Sequence, residues 1–317
     1  DPADALMPPR SPLPQRNGLD AAWLRTPDRE PGVAPRWTTM GQFLAERLPD
    51  EAPVAQMLTE GAFVDQAGRP VAGNQAYRPH TLIWFHRELA PEPSVPFEVK
   101  ILHADERIVV VDKPHFLATT PRGVHVSETV LVRLRESLDL PELAPAHRLD
   151  RLTAGVLVLT TRREFRAAYS ALFQSQAVSK TYLALARYDP SLRFPRRELG
   201  RIEKRRGRLQ AELVDGEPNA ETLIELDEVR GHLARYRLTP ATGKTHQLRV
   251  HLAALGLPIL GDPLYPDVLD VAADDVSTPL QRVAKTLAFM DPLDGTQRAF
   301  TSDFELNWPD SSPASAR

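Results

Sequence analysis

The sequence contains no cysteine, which removes disulfides, thiolate metal sites and cysteine nucleophiles together. It also lacks any long apolar run. The longest, Leu252 to Leu260, is broken by Gly256 and Pro258 and falls far short of the ~18 residues a membrane helix needs. No cationic head followed by an apolar core opens the chain, so no signal peptide is expected and a soluble cytoplasmic protein is the default. Positive charge is not in excess. The formal net charge is −3, which argues against indiscriminate nucleic-acid binding but leaves room for a local basic face. Three familiar signatures are missing as well. Gly243-Lys244-Thr245 has Leu238 where a phosphate-cradling loop needs its first glycine. His246 and His251 are five apart, on different faces of a helix, and with no HExxH stretch a zinc pair is not expected. No GxSxG elbow occurs.

What is present is an ordinary globular composition, 42% hydrophobic and 26% charged over 317 residues, for which the length prior is about two domains. Residues 1–36 hold eight of the 30 prolines and read as an extended arm, surface-bound or disordered. Residues 37–90 read as a small helix-helix-hairpin domain: a helix from Thr39 to Leu48 capped by Thr39, a second from Val54 closed by Gly61, then short strands ending in Thr81–Phe85. A proline-rich joint, Leu89 to Pro96, leads to a larger domain over 97–308, and 309–317 read as a disordered tail.

In the larger domain, Glu98 to Pro114 reads as a hairpin, and Ser127 to Leu140 as a helix with Ser127 as its cap. Arg163–Gln174 is an amphipathic helix and Ser179–Tyr188 a strand. Thr222–Val229 and Ala234–Pro240 alternate as paired strands. Leu248, Leu252 and Leu255 line one face of a helix that stops at Gly256, and Asp291–Phe300 makes a last hairpin turn. Strands outnumber helices and connect mainly through hairpins, so the fold expected is α+β on a largely antiparallel sheet. Between Arg193 and Arg208 stand eight Lys or Arg residues, among them Arg196, Arg197, Arg201, Lys204, Arg205 and Arg206, against two glutamates. This run reads as a loop. Its bland interpretation is a solvated charged segment, its functional one a loop that tracks phosphates.

The chemistry centres on His147-Arg148-Leu149-Asp150-Arg151-Leu152-Thr153-Ala154-Gly155, followed by the apolar run Val156–Thr161. A loop that delivers one carboxylate and drops into a buried strand fits this pattern. Arginines beside Asp150 favour its ionised form. Such a carboxylate either holds structure through ion pairs or attacks an electrophile while the arginines bind phosphate.

Taken in order with Ser179–Leu185 and Ala241–Tyr265, this stretch resembles the motifs of the RluA-type RNA pseudouridine synthases, and Glu98–Pro114 is similar to that family's first catalytic hairpin. The resemblance spans Phe97 to Leu306. It implies a mixed, largely antiparallel central sheet with flanking helices and the active site in a cleft between two halves. The small domain resembles, more weakly, an S-four-like RNA-binding module, though it carries few of that module's basic residues. The implied reaction detaches a uracil from its ribose, rotates it and rejoins it through carbon, with no metal or organic cofactor. The resemblance makes Asp150 the nucleophile, toward the anomeric carbon or the uracil ring, or else the stabiliser of a glycosyl cation. It makes Tyr182 the ring that lies against the base and Arg249 the cation paired with the aspartate. Ala154 stands where relatives often have serine.

The partner implied is ribosomal or transfer RNA, bound by a monomer. The uracil must be flipped out of its stack. Arg148 is expected to fill the gap or hold the flanking phosphate, His147, Arg151, Lys244 and His246 with the basic run to contact RNA, and Leu248 to wall the base. Two other readings stand beside this one: a non-catalytic RNA-binding protein of the same fold, and a glycoside or nucleoside hydrolase. The hydrolase needs a second acid, for which Asp262 is the candidate.

Overall fold

Two strands are buried on both faces, and they organise the larger part of the chain. Every residue of Ile108–Lys113 and of Ala154–Thr160 is buried, as continuous apolar runs dictate when both sheet faces are covered. The structure, a computed structural model, describes residues 10–28, 36–272 and 274–309. The chain divides into two compact units, Asp1–Pro91 and Glu92–Arg317.

In the first unit the elements are β1 (Ala22–Arg25), α1 (Met40–Arg47), α2 (Val54–Thr59) and β2 (Leu82–Phe85). Thr39 caps α1, its hydroxyl accepting from the Gln42 N–H at 3.2 Å, as its sequence position predicts. Met40, Phe43, Val54, Met57, Phe63 and Ile83 form a separate core. The arm departs from expectation. Its residues 22–25 alternate half-buried and exposed and pair antiparallel with β2. Four alternating residues, Ala-Trp-Leu-Arg, suffice to complete a sheet edge, and the surrounding prolines mask them in the sequence. Residues 1–9 and 29–35 of the arm, and 310–317 of the tail, lie outside the described residues.

The second unit runs β3 (Lys100–Ala104), β4 (Ile108–Lys113), α3 (Val130–Ser137), β5 (Ala144–Pro145), β6 (Ala154–Thr160), α4 (Arg163–Gln174), β7 (Val178–Arg187), β8 (Arg196–Glu203), β9 (Glu212–Val214), β10 (Ala220–Arg230), β11 (Leu233–Pro240), α5 (Gln247–Ala254), β12 (Arg282–Met290) and β13 (Gln297–Thr301). One sheet takes all these strands in the order β3-β4-β6-β12-β7-β11-β10-β8-β9, with β13 on β12 and β5 on β6. Only β12 with β6 is parallel. The mixed, largely antiparallel α+β architecture is as expected. Odd-numbered residues of β4 and β6 pack with α3, through Leu131 and Leu134. Even-numbered ones pack with Tyr169 and Phe173 of α4. Leu248 and Leu252 of α5 cover β7, β10 and β11. Helix α3 begins two residues later than its apolar pattern suggests, because Thr129 rather than Ser127 accepts from the Val132 N–H.

The basic run is a strand over half its length. Arg196–Glu203 pairs with β10 and β9. Its arginines are met by Glu198, Glu203 and Glu221, pairs that a reading of net charge along the chain cannot see. Lys204, Arg205, Arg206 and Arg208 fall in an exposed turn, where Arg208 stands 3.5 Å from Glu212.

Candidate active site

Asp150 sits in the turn that enters β6, and almost every residue of that turn is held from outside it. The Thr119 hydroxyl donates to the Leu149 carbonyl at 2.8 Å. His115 Nδ1 lies 2.7 Å from the Leu152 carbonyl, and because a carbonyl only accepts, that nitrogen carries the proton. The Lys113 ammonium is fully buried and donates to the carbonyls of Pro114 and Leu117 at 2.8 Å and of Arg151 at 3.2 Å. Gly155 closes the turn at φ 119°, and a Cβ there would stand 2.3 Å from the Ala284 carbonyl, so no other residue fits between β6 and β12.

The carboxylate meets two guanidinium groups, and the closer one is not Arg249. Arg282 Nη2 donates to Asp150 Oδ2 at 2.6 Å, and its Nε to the Thr153 hydroxyl at 3.0 Å. Arg249 Nη1 stands 4.0 Å from the same oxygen. Its own fork is engaged with Asp262, Nε to Oδ2 at 2.7 Å and Nη2 to Oδ1. Removal from water pushes the Asp150 carboxyl up, but Arg282, then His246 and Arg249, pull it the other way, and it settles near about 2. The side chain keeps 31% of its surface open. It is an ionised, reachable carboxylate.

Tyr182 lies on β7, where strand register sets it beside this turn. Gly155 of β6 is level with Ala284 of β12, which is level with Tyr182. The ring is half-buried between two core clusters. Burial raises its hydroxyl above the ordinary tyrosine value, with Arg282 opposing and Asp150 adding to the rise. The phenol therefore keeps its proton and can donate it.

A family model for RNA pseudouridylate synthases matches residues 107–254. The dual-specificity RNA pseudouridine synthase RluA of Salmonella typhi is 32% identical over 66% of this chain and 94% of its own length. The chain belongs to the RNA pseudouridine synthases of the RluA type. A human pseudouridylate synthase is 34% identical over 58% of the chain, which spans only 33% of that longer protein. Among solved structures, human RNA pseudouridylate synthase domain containing 4 matches with a TM-score of 0.51 at 27% identity, covering 66% of this chain and 88% of that one. Members of the family are isomerases that turn uridine into pseudouridine in RNA.

Within this RluA-type chain the expected RNA contacts separate into two groups. Arg148 and Lys244 are exposed, and Arg151 is half-buried beside Asp150. His246 lies at the start of α5, its Nδ1 3.0 Å from the Tyr265 hydroxyl. That hydroxyl spends its one proton on the Ala211 carbonyl, so His246 Nδ1 is the donor. Burial first, then Arg249 and Arg282 against the pull of Asp150, lower His246 to about 4, so it is neutral at pH 7. His147 is half-buried. It stacks on Phe173 at 4.3 Å, its Nε2 accepts the Val158 N–H, and burial lowers it to about 3. Leu248 likewise is 5% exposed and belongs to the core under α5. Apolar neighbours supplied by distant elements pack against both side chains.

Arg282, Lys113, His115 and Thr153 are site residues that motif reading passes over. Lys113 had a signal, a lysine placed with Asp112 directly after a run of four valine and isoleucine residues. Arg282 had none, since Arg282–Met290 lacks a clean alternation.

Proposed function

We propose that this protein isomerises one specific uridine of ribosomal or transfer RNA to pseudouridine, acting as a cytoplasmic monomer with Asp150 as nucleophile and no metal or organic cofactor. The observation that carries the reading is the state of Asp150: ionised, accessible, gripped by cations through one oxygen, on a turn whose last residue, Gly155, is level through Ala284 with Tyr182. The net reaction breaks the bond from N1 of uracil to the ribose, forms one from C5, and moves one proton from C5 to N1. Nothing is oxidised, so a nucleophile, a positioned base and a route for one proton suffice. Tyr182 lies against the flipped base and holds its proton at the phenolic oxygen. Arg148 occupies the space the base leaves, and Arg151, Lys244 and His246 contact the flanking backbone. Lys204, Arg205 and Arg206 extend that track.

The hydrolase reading loses its second acid. Asp262 is buried, and its oxygens accept from Arg249 and from the N–H groups of Leu264 and Tyr265. Among the described residues, no helix is long and apolar enough to cross a membrane. The deciding experiment maps pseudouridine in ribosomal and transfer RNA from cells with the gene, without it, and carrying Asp150→Asn. A site lost in both the deletion and the variant is expected. A site lost in the deletion but kept by Asp150→Asn removes Asp150 as nucleophile, and no change anywhere favours the non-catalytic binding protein.

A further inference from the structure

A nucleophile on a turn needs something to set the angle of its carboxylate, because the terminal torsion of an aspartate is broad. Arg249, the cation expected from the family motif, is poorly placed to do so. Two of its three nitrogens are spent on Asp262, and the third stands 4.0 Å away. Arg282 is differently placed. It is 5% exposed and opens β12, the strand between β6 and β7. On one side its neighbour Val283 is level with Ala154, just past the Asp150 turn. On the other, Arg282 is level with Ala184, two residues beyond Tyr182. The same guanidinium touches Asp150 Oδ2 and the Thr153 hydroxyl, and the Thr153 N–H donates back to the Asp150 carbonyl at 3.0 Å. Both ends of the turn are thereby tied to one rigid strand. The cations meet the carboxylate at Oδ2 alone; among the described residues none donates to Oδ1.

We infer that Arg282 is the positioning residue of the nucleophile: it clamps Asp150 by Oδ2 and Thr153 by the hydroxyl, and so reserves Oδ1 for the substrate. This rests on the reading of Asp150 as nucleophile. The two arginines thus have separate roles. Arg282 aims the carboxylate, while Arg249 locks α5 to the segment around Asp262 and supplies only a second, more distant charge. A lysine in place of Arg282 could meet Asp150 or Thr153 but not both, since a point cation lacks the planar fork.

The test uses the full-length protein and an in vitro transcript carrying the uridine that the wild-type protein modifies, under single-turnover conditions. Arg282→Ala should slow the saturated rate at least thirtyfold while the half-saturating RNA concentration stays within threefold. Millimolar guanidinium should restore part of that rate, and Arg282→Lys should fall between. A rate within threefold of wild type, or a loss that guanidinium leaves untouched, overturns the assignment. Should Arg282→Ala fail to fold, Thr153→Val keeps the shape and removes one anchor. It should slow the rate at least fivefold with unchanged RNA half-saturation, and an unchanged rate overturns the clamp. Asp150→Asn runs alongside. If it is fully active, the nucleophile reading fails and the clamp with it. If it is inactive while Arg282→Ala is normal, only the clamp fails.

Discussion

Lys113 is the residue on which the geometry of the turn most depends, because it is a fully buried cation held by carbonyls on both sides of the turn. Its three N–H groups meet three acceptors, two of them in the segment after β4 and one on Arg151 beside Asp150. Burial lowers its pKa to about 7, with Asp150 pulling upward and Arg151 and Arg282 downward. Three carbonyls at hydrogen-bond distance match an ammonium better than an amine, which has only two protons to give, so we assign it the charged form in the native site. Lys113→Met keeps the length of the chain and removes every donor. Each carbonyl left unsatisfied costs about 1–3 kcal/mol, and the variant should be less stable by at least ~3 kcal/mol in urea unfolding. It should also lose activity out of proportion to its folded fraction, because the Asp150 turn loosens. Stability within ~1 kcal/mol of wild type would show that water replaces the ammonium at these carbonyls. Asp150, Tyr182 and Arg249 were all legible in the sequence as a set, since short motifs carry them. Lys113 and Arg282 were not, because what makes them matter is a partner 38 or 132 positions away.

At the scale of elements, the hairpin of β8 and β9 shows how a charge run divides. Along β8 the arginines pair with glutamates two positions on or with Glu221, so this stretch is close to electrically closed. The exposed turn after it carries Lys204, Arg205 and Arg206, and the capacity to neutralise phosphate is concentrated there. Each phosphate contact on a single strand contributes a slope of about −0.7 in log K against log salt. Reversing Lys204, Arg205 and Arg206 to glutamate should weaken RNA binding and flatten that slope by about 2. Reversing Arg196, Arg197 and Arg201 should instead disturb the strand and leave most of the slope in place. Equal slopes in all three proteins, measured by fluorescence anisotropy over a salt series, would mean that the hairpin does not touch RNA. The strand itself was missed because its apolar positions, Leu199 and Ile202, do not keep to one parity, and pairing with β10 rather than hydrophobic alternation fixes it. The helices were easier. Helix α4 carries a full amphipathic pattern and its bounds, Arg163–Gln174, are those the sequence suggests.

Across the whole molecule, topology is the part that no local pattern revealed. Strand β12 enters the sheet between β6 and β7 although more than a hundred residues separate it from β6, and that insertion assembles the site. The same assembly buries several imidazoles in the second unit, and the three lowered furthest have a consequence for acid stability. His115, His147 and His246 are lowered to about 4, 3 and 4, in each case first by burial. Protonation would also cost His147 the lone pair that accepts the Val158 N–H, and would set a charge on His246 beside Arg249 and Arg282. In the unfolded chain all three titrate near 6.5. Between about pH 6.5 and 4 the unfolded state therefore binds protons that the folded state refuses, and stability falls as pH falls. Each ring contributes at most about 1.4 kcal/mol per pH unit, so the three together give at most about 4. Lowered carboxylates such as Asp105 and Asp150, both near about 2, enter only below about pH 4. Asp112, raised by burial, works weakly in the opposite sense. Urea midpoints at pH 7, 6 and 5 should decline steadily. His147→Gln, whose amide oxygen can still accept the Val158 N–H but cannot titrate, should remove about a third of the slope. A midpoint at pH 5 equal to that at pH 7 would show that the folded protein takes up these protons, and the imidazoles would then have to be open to water.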